Sequence, residues 1–384
     1  MMLAGLRQSF VRAALPRMSP FRGCDPCPAR LMPLSRRTAG GPAPDFPVDV
    51  VYTWVDGSDP VLAAKRAAHL PPGERYDALR QGENLYRDND ELRYSLRSLD
   101  RYAPWVRRVF IVTDGQRPAW LADHSRVRVV DHTEIIPAEY LPTFSSRVIE
   151  AFLHRIPDLG ERYIYFNDDF FLSAPCSPGD FFTPNGLPYL FTDWRRPRRV
   201  SYARAATPHT RSHANVRRYL EASGIRPTPT LITAHGPFPQ TRRNAADAYA
   251  FYEAAVREFA VDKFRSFRGM VFYCHMLPLW AYAMGRGVPC DVPYYYIDIK
   301  RPDRLLYYQA LIQGRGGDCL PLFFCLNDTQ TWPGATRWRE DMAAFLQTGY
   351  PDPSPFERAR TTDCPQASTR ENAARTAETR DGRL

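Results

Sequence analysis

The sequence predicts an α/β protein built on a mainly parallel, three-layer sheet, and three observations predict it. Short apolar runs rich in β-branched and aromatic residues alternate with segments of helical periodicity. Three of those runs stop at acidic or glycine-containing loops: Asp56-Gly57, Asp114-Gly115 and Asn167-Asp168-Asp169. Ligands of open parallel sheets bind at the carboxyl ends of strands, so this agreement carries weight. The 36 prolines argue against an all-helical bundle, because proline lacks the N–H that a helix interior needs.

Residues 1–46 are rich in Arg, Pro and Gly and are expected to be a disordered basic tail, whose composition points to an initiation site nearer residue 32. Asp49 to Trp54 reads as a buried strand stopped by the turn Val55-Asp56-Gly57-Ser58-Asp59-Pro60. Asp88 and Glu91 have capping-box spacing and open a helix through about Tyr102, with Leu92, Leu96 and Leu99 as its apolar stripe. Strands follow at Val109–Thr113 and Val127–Val130, a helix at about 145–156, and a strand at Tyr163–Phe166 that ends at the acids. From about 195 helices are expected near 211–222, 244–259 and 271–285, separated by proline-rich loops. Leu322–Leu326 is a short apolar segment ending at Asn327-Asp328. The organisation is therefore 47–195 as an α/β region, 196–350 as a more helical region completing the site, and 351–384 as a second disordered tail.

The formal net charge is +9, but residues 1–44 hold seven Arg against the single acid Asp25. The remainder is nearly balanced, which gives no basic face for nucleic acid. The tail is suited to peripheral contact with an anionic membrane surface. Lysine occurs only at 65, 263 and 300, so phosphate binding falls largely to Arg, whose planar fork suits phosphate oxygens. The eight cysteines form no dense framework. Cys24 and Cys27 make a lone C-x-x-C, and no further pair follows nearby to complete a zinc site. All eight are expected as reduced thiols of a cytoplasmic protein.

Asp168 and Asp169, adjacent at a strand end, suit Mg²⁺ or Mn²⁺ holding a diphosphate, since hard cations take oxygen ligands. An Asx-type turn with solvated acids is the alternative. Asn327-Asp328 repeats the arrangement and matters if the fold brings it beside Asp168. His235, in a Gly/Pro loop, is a candidate general base. A structural His is the alternative, and His209, His213 and His275 compete for the role. Arg265 or Arg268 is placed to clamp phosphate oxygens, or to lie on a solvated helix start.

Together these segments closely resemble the Stealth family. It comprises bacterial capsule and exopolysaccharide phosphotransferases and the catalytic subunit of the animal lysosomal-enzyme N-acetylglucosamine-1-phosphotransferase. The first family region is matched by Asp49 to Pro60. The second runs from Arg87-Asp88-Asn89-Asp90-Glu91 through Ala103-Pro104-Trp105 and Thr143-Phe144-Ser145-Ser146 to Asn167-Asp168-Asp169. The third covers about 205–290 and the fourth is Phe324-Cys325-Leu326-Asn327-Asp328. His235 falls on the family's His-x-Pro-His and Arg265 on its Phe-Arg-Ser. Phe238 stands where many members carry a second His, and Gly269 near a common acid.

The resemblance implies a Rossmann-like, GT-A-like fold and a reaction. A UDP-sugar is cleaved at its diphosphate, the sugar keeps one phosphate, UMP leaves, and a phosphodiester to a saccharide acceptor results. It implies that 47–195 binds the nucleotide-sugar and that 196–350 serves the acceptor. It implies a divalent metal on Asp168, Asp169 and Asp328, His235 as base, Arg265 on the transferring phosphate, and Asp56, Gly57, Arg93, Arg97 and Asn167 on the nucleotide side. A glycosyltransferase of the same sheet type, releasing UDP, is the competing enzyme. A non-catalytic carbohydrate-binding protein is the competing non-enzyme.

Overall fold

The computed structural model describes residues 44–70, 82–192, 207–225, 233–292, 294–314, 320–328 and 336–359. Most of the N-terminal tail, Cys24, Cys27, Cys319 and Cys364 lie outside them. Strand β1 is Val48–Thr53, followed by helix α1 at Pro60–Ala68 and α2 at Glu91–Tyr102. Next come β2 at Val109–Thr113, β3 at Val127–Asp131, α3 at Ser146–Ala151, β4 at Arg162–Asn167, β5 at Phe170–Leu172 and β6 at Tyr189–Thr192. Then follow α4 at Pro208–Ala222, β7 at Phe238–Thr241, α5 at Arg242–Phe251, α6 at Glu253–Ala260 and α7 at Leu277–Ala283. The series closes with β8 at Val288–Asp291, β9 at Tyr294–Asp298, α8 at Arg304–Gln313, β10 at Phe323–Asn327 and α9 at Trp338–Gly349.

The main sheet has the order β3-β2-β1-β4-β7, parallel except for the antiparallel edge β7. Strands β1, β2 and β4 are buried on both faces, which is why they read as nearly unbroken apolar runs rather than alternating ones. The chain adds β2 and β3 on one side of β1, then returns to place β4 on the other. The order reverses between β1 and β4, where Thr53 and Asn167 are register partners. Such a reversal leaves a crevice at the strands' carboxyl ends. The loop at 54–59 and the acids at 168–169 emerge side by side there.

A second sheet, β5-β10-β9, continues from the acid turn. Strand β10 runs antiparallel to β5, with Cys325 opposite Phe170, and parallel to β9. Residues far apart in sequence are thereby stitched to the end of β4. Strand β8 pairs with β6 in a third, two-stranded sheet.

The expected division at 195/196 does not separate two cores. One apolar cluster runs from Val48 to Phe356, and β7, β8 and β10 each pair with a strand from before residue 195. Helix α2 begins at Glu91 rather than Asp88. Asp90 occupies the cap at φ 70°, the Asp88 carboxylate accepts from the Asp90 N–H at 2.9 Å, and the Glu91 carboxylate takes the Asn89 N–H. The two carboxylates thus fix the turn that leads into the helix, and the Asp90 side chain makes no capping hydrogen bond. The helix expected over 244–259 breaks at Tyr252, and that over 271–285 opens with a π turn at Phe272–Met276.

The second tail, expected from 351, does not start there. Phe356 is fully buried and Glu357 is clasped by two arginines, so residues 351–359 pack onto the body. No helix of the described residues is long and apolar enough to cross a membrane.

Candidate active site

The loop after β1 is built to be tight. Its Asp56 Oδ1 accepts from the Ser58 N–H at 2.8 Å and the Ser58 hydroxyl at 2.6 Å, an Asx turn that closes the loop locally. Gln116, after β2, accepts from the Asp56 N–H and donates to the Asp56 carbonyl, while also reaching Asp59. Gly57 donates its N–H to the Tyr86 carbonyl at 2.7 Å, and a Cβ there would stand 2.4 Å from that oxygen. The glycine is required by close backbone approach.

At the end of β4, Asn167 accepts from the Tyr165 hydroxyl at 2.7 Å, and the same hydroxyl lies 3.0 Å from Thr53 Oγ1. Asp168 and Asp169 form the turn into β5, and the Leu326 N–H fixes the Asp169 carbonyl at 3.0 Å. Burial raises the Asp168 carboxyl well above its ordinary range, and Asp169, Glu91 and Asp88 add repulsion. Asp169 is raised too, through burial. Burial likewise lifts Glu91 to about 7 and Asp88 to about 6. Four acids crowd one end of the sheet and hold protons more tightly than isolated carboxyls do.

His235 reaches the same place. Ligand atoms of Asp169, His235 and Cys325 lie within 4.8 Å of one another. The Cys325 thiol donates to Asp169 Oδ2 at 3.3 Å, while Asp169 Oδ1 and His235 Nε2 find no hydrogen-bond partner among the described residues. The imidazole sits edge-on to Phe170 and Tyr296, with ring centroids 5.3 Å away in each case. Burial pushes its pKa down to about 4, helped by His209. It is therefore neutral near pH 7, with a ring nitrogen able to accept a proton. Of the acids expected to meet His235, Asp169 is the one whose ligand atom lies in this cluster.

These acids suit a divalent metal. A buried carboxylate oxygen without a partner, next to a second carboxyl raised by burial and by neighbouring acids, is what a hard cation would relieve. Asp328 departs from expectation. The fold does bring it beside the acid turn, two residues beyond Leu326, but its carboxylate is ion-paired with Arg87 and Lys300. Two cations already neutralise it, which leaves it poorly suited to be a metal ligand.

Arg93 and Arg97 also depart. The Glu357 carboxylate receives Arg93 Nε at 2.7 Å and Arg97 Nε at 2.6 Å, and Arg97 Nη1 donates to the Tyr350 carbonyl. These guanidinium groups close the C-terminal segment onto α2 rather than face a nucleotide. Arg265 donates to the Ser146 hydroxyl at 3.1 Å and lies near Arg147 and Glu150. Arg268 is paired with Asp262 on the surface.

Cys325, Glu91, Arg87 and Lys300 escaped sequence reasoning as site residues. The signal for Glu91 and Arg87 was their place in the segment 87–91, read as a helix start and as the opening of the second matched region, with no role assigned to either. Three histidines gather close by: the ring centroids of His209 and His213 are 5.0 Å apart, and those of His213 and His275 are 5.1 Å apart.

Comparisons with known proteins match the chain to named relatives. Residues 46–69 match the family model described as Stealth protein CR1, conserved region 1, and residues 85–190 match Stealth protein CR2, conserved region 2. An exopolysaccharide phosphotransferase of Streptomyces coelicolor is 41% identical over 82% of this chain, which spans 53% of that relative's length. The capsular polysaccharide phosphotransferase LcbA of Aeromonas hydrophila is 34% identical over 75% of this chain and 80% of its own. Among solved structures, the galactosyltransferase LgtC in complex with donor and acceptor sugar analogs aligns over 78% of this chain and 95% of its own, at 12% identity and TM-score 0.39.

Proposed function

The chain belongs to the Stealth family, and from that premise we propose that it transfers a hexose-1-phosphate from a UDP-sugar to a saccharide hydroxyl in exopolysaccharide or capsule synthesis. In this reading the donor sugar is an N-acetylhexosamine, as the family resemblance implies, the product is a phosphodiester, and UMP leaves. The observation that carries this reading is the approach of Asp169 and His235 within 4.8 Å at the reversal between β1 and β4.

In this reading the acceptor oxygen attacks the phosphorus that carries the sugar. The bond from that phosphorus to the bridging oxygen breaks, and the bridging oxygen departs with UMP. His235 accepts the acceptor's proton at Nε2. The phosphates bring negative charge that raises the proton affinity of a buried, neutral imidazole. Arg265 holds oxygens of the transferring group, and alignment with charge stabilisation supplies most of the rate. Mg²⁺ or Mn²⁺, held by Asp168 and Asp169, would supply neutralisation of the diphosphate. Asp56, Gly57 and Asn167 line the nucleotide side, with Arg87 and Lys300 at the rim.

The test is incubation with a panel of UDP-sugars, a divalent ion and a saccharide acceptor. Release of UMP supports the proposal. Release of UDP instead would assign the chain to glycosyl transfer, and calorimetry showing no nucleotide-sugar binding would favour a non-catalytic carbohydrate binder.

A further inference from the structure

Arg147 lies on α3 with 5% of its surface exposed, and its Nη1 meets no hydrogen-bond partner among the described residues. A guanidinium rarely stays buried without a carboxylate against it, because desolvating the charge is expensive. Beside it stands a second guanidinium, Arg265, tethered through the Ser146 hydroxyl. The acid facing both is Glu150, whose carboxyl burial lifts to about 7, so it offsets the pair incompletely. Burial and the Arg265 charge together press Arg147 down to about 9.

Space for Arg147 comes from Gly269, where a Cβ would stand 2.9 Å from its Nη1. An acidic side chain at this position would pair with the guanidinium; glycine supplies no counter-charge from this side. Glu150 in turn lies 3.5 Å from the Tyr165 hydroxyl, which holds Asn167. The arginine pair therefore connects with the end of β4.

We propose that Arg147 and Arg265 together form a phosphate-binding pocket, with Arg147 as a second guanidinium on the oxygens of the phosphate that the sugar keeps. The identity of that occupant rests on the function proposed above; the binding of a phosphate anion does not. Two planar forks around one tetrahedral anion provide more donors than one fork, and an anion entering between them relieves their mutual repulsion.

The experiment uses the full chain, inorganic phosphate and no sugar nucleotide, so a failed UMP assay leaves its result intact. Calorimetry and thermal melts are run on wild type, Arg147→Met, Arg265→Met and the double variant. Phosphate is expected to raise the wild-type Tm. Each single variant should lose about 10- to 100-fold in phosphate affinity, as for hydrogen bonds to a charged group. The double variant should lose little more than either, because both arginines hold one anion. Without phosphate, Arg147→Met should melt no lower than wild type, since a costly unpaired charge has gone. Arg147→Lys keeps the charge without the fork and should bind with intermediate affinity; it serves as the test if the Met variant does not fold. Unchanged phosphate affinity in Arg147→Met or Arg147→Lys, or strictly additive losses in the double variant, would overturn the proposal.

Discussion

The Tyr165 hydroxyl donates to Asn167 Oδ1 at 2.7 Å and stands 3.0 Å from Thr53 Oγ1, joining the ends of β4 and β1 across the crevice. Both residues lie beside the acid turn, so this hydroxyl sets where Asn167 presents its amide. Tyr165→Phe removes one oxygen and leaves the ring stacked on Phe238. Transfer should fall about 10- to 100-fold, as when an outer partner of a ligating residue is lost. The fold should weaken by about 1–3 kcal/mol, for a buried hydrogen bond. Steady-state kinetics beside urea melts check both; unchanged kinetics would show that Asn167 needs no such support.

At Asp168 stability and the proposed chemistry oppose each other. Burial and three neighbouring acids disfavour its charged form. Asp168→Asn keeps the shape and removes the repulsion. In the absence of divalent ions the variant should melt higher, by about 0.5–2 kcal/mol in stability, while kcat drops by about 10²–10³ or more. Differential scanning calorimetry with chelator, beside a UMP assay, decides it. A lower Tm together with full activity would remove Asp168 from the site.

How much of this was legible in the sequence follows from the range of each interaction. Strands β1, β2 and β4 announce themselves because burial on both faces demands apolar, β-branched runs, and the acids at 168–169 follow one of them directly. Cys325 gave no such sign: it meets Asp169 only because β10 pairs with β5, from a segment far along the chain, and a local pattern does not name a strand's partner. Arg93 and Arg97 misled for the same reason. Their helix was readable, but their partner Glu357 sits in a polar stretch whose composition resembles a tail. The clasp there depends on Phe356 and one carboxylate, too few residues to alter the average.

That clasp has a pH signature. Burial alone would raise the Glu357 carboxyl, but Arg97 and Arg93 outweigh it and hold it at about 2, down from 4.5. A depressed folded-state value means the contribution is complete above about 4.5 and is lost as pH falls toward 2. Glu357→Gln leaves Arg97, which is 4% exposed, without its counter-charge. It should cost about 3–5 kcal/mol at pH 7, as for breaking a buried pair. The gap between wild type and variant should narrow steadily from pH 4.5 downward. Urea unfolding at about pH 7, 4 and 3 measures it, and a gap that widens with acid would contradict the assignment.

Gly57 tests the nucleotide side without touching a charge. A methyl group there would lie 2.4 Å from the Tyr86 carbonyl oxygen, which also accepts the Gly57 N–H. Backbone cannot yield as a flexible side chain would, so Gly57→Ala must push the loop at 54–59 away from Tyr86. Tyr86 is anchored on its far side, its hydroxyl donating to the Phe144 carbonyl at 2.9 Å, so the loop moves rather than the tyrosine. The displaced loop carries Asp56, while Asp169 and His235 are held by separate elements. The damage should therefore appear in donor binding: KM for the UDP-sugar rises by roughly 5- to 150-fold, equivalent to about 1–3 kcal/mol of overpacking, and kcat changes far less. A variant whose kcat falls while KM stays fixed would place this loop against the reacting phosphate instead of the nucleotide.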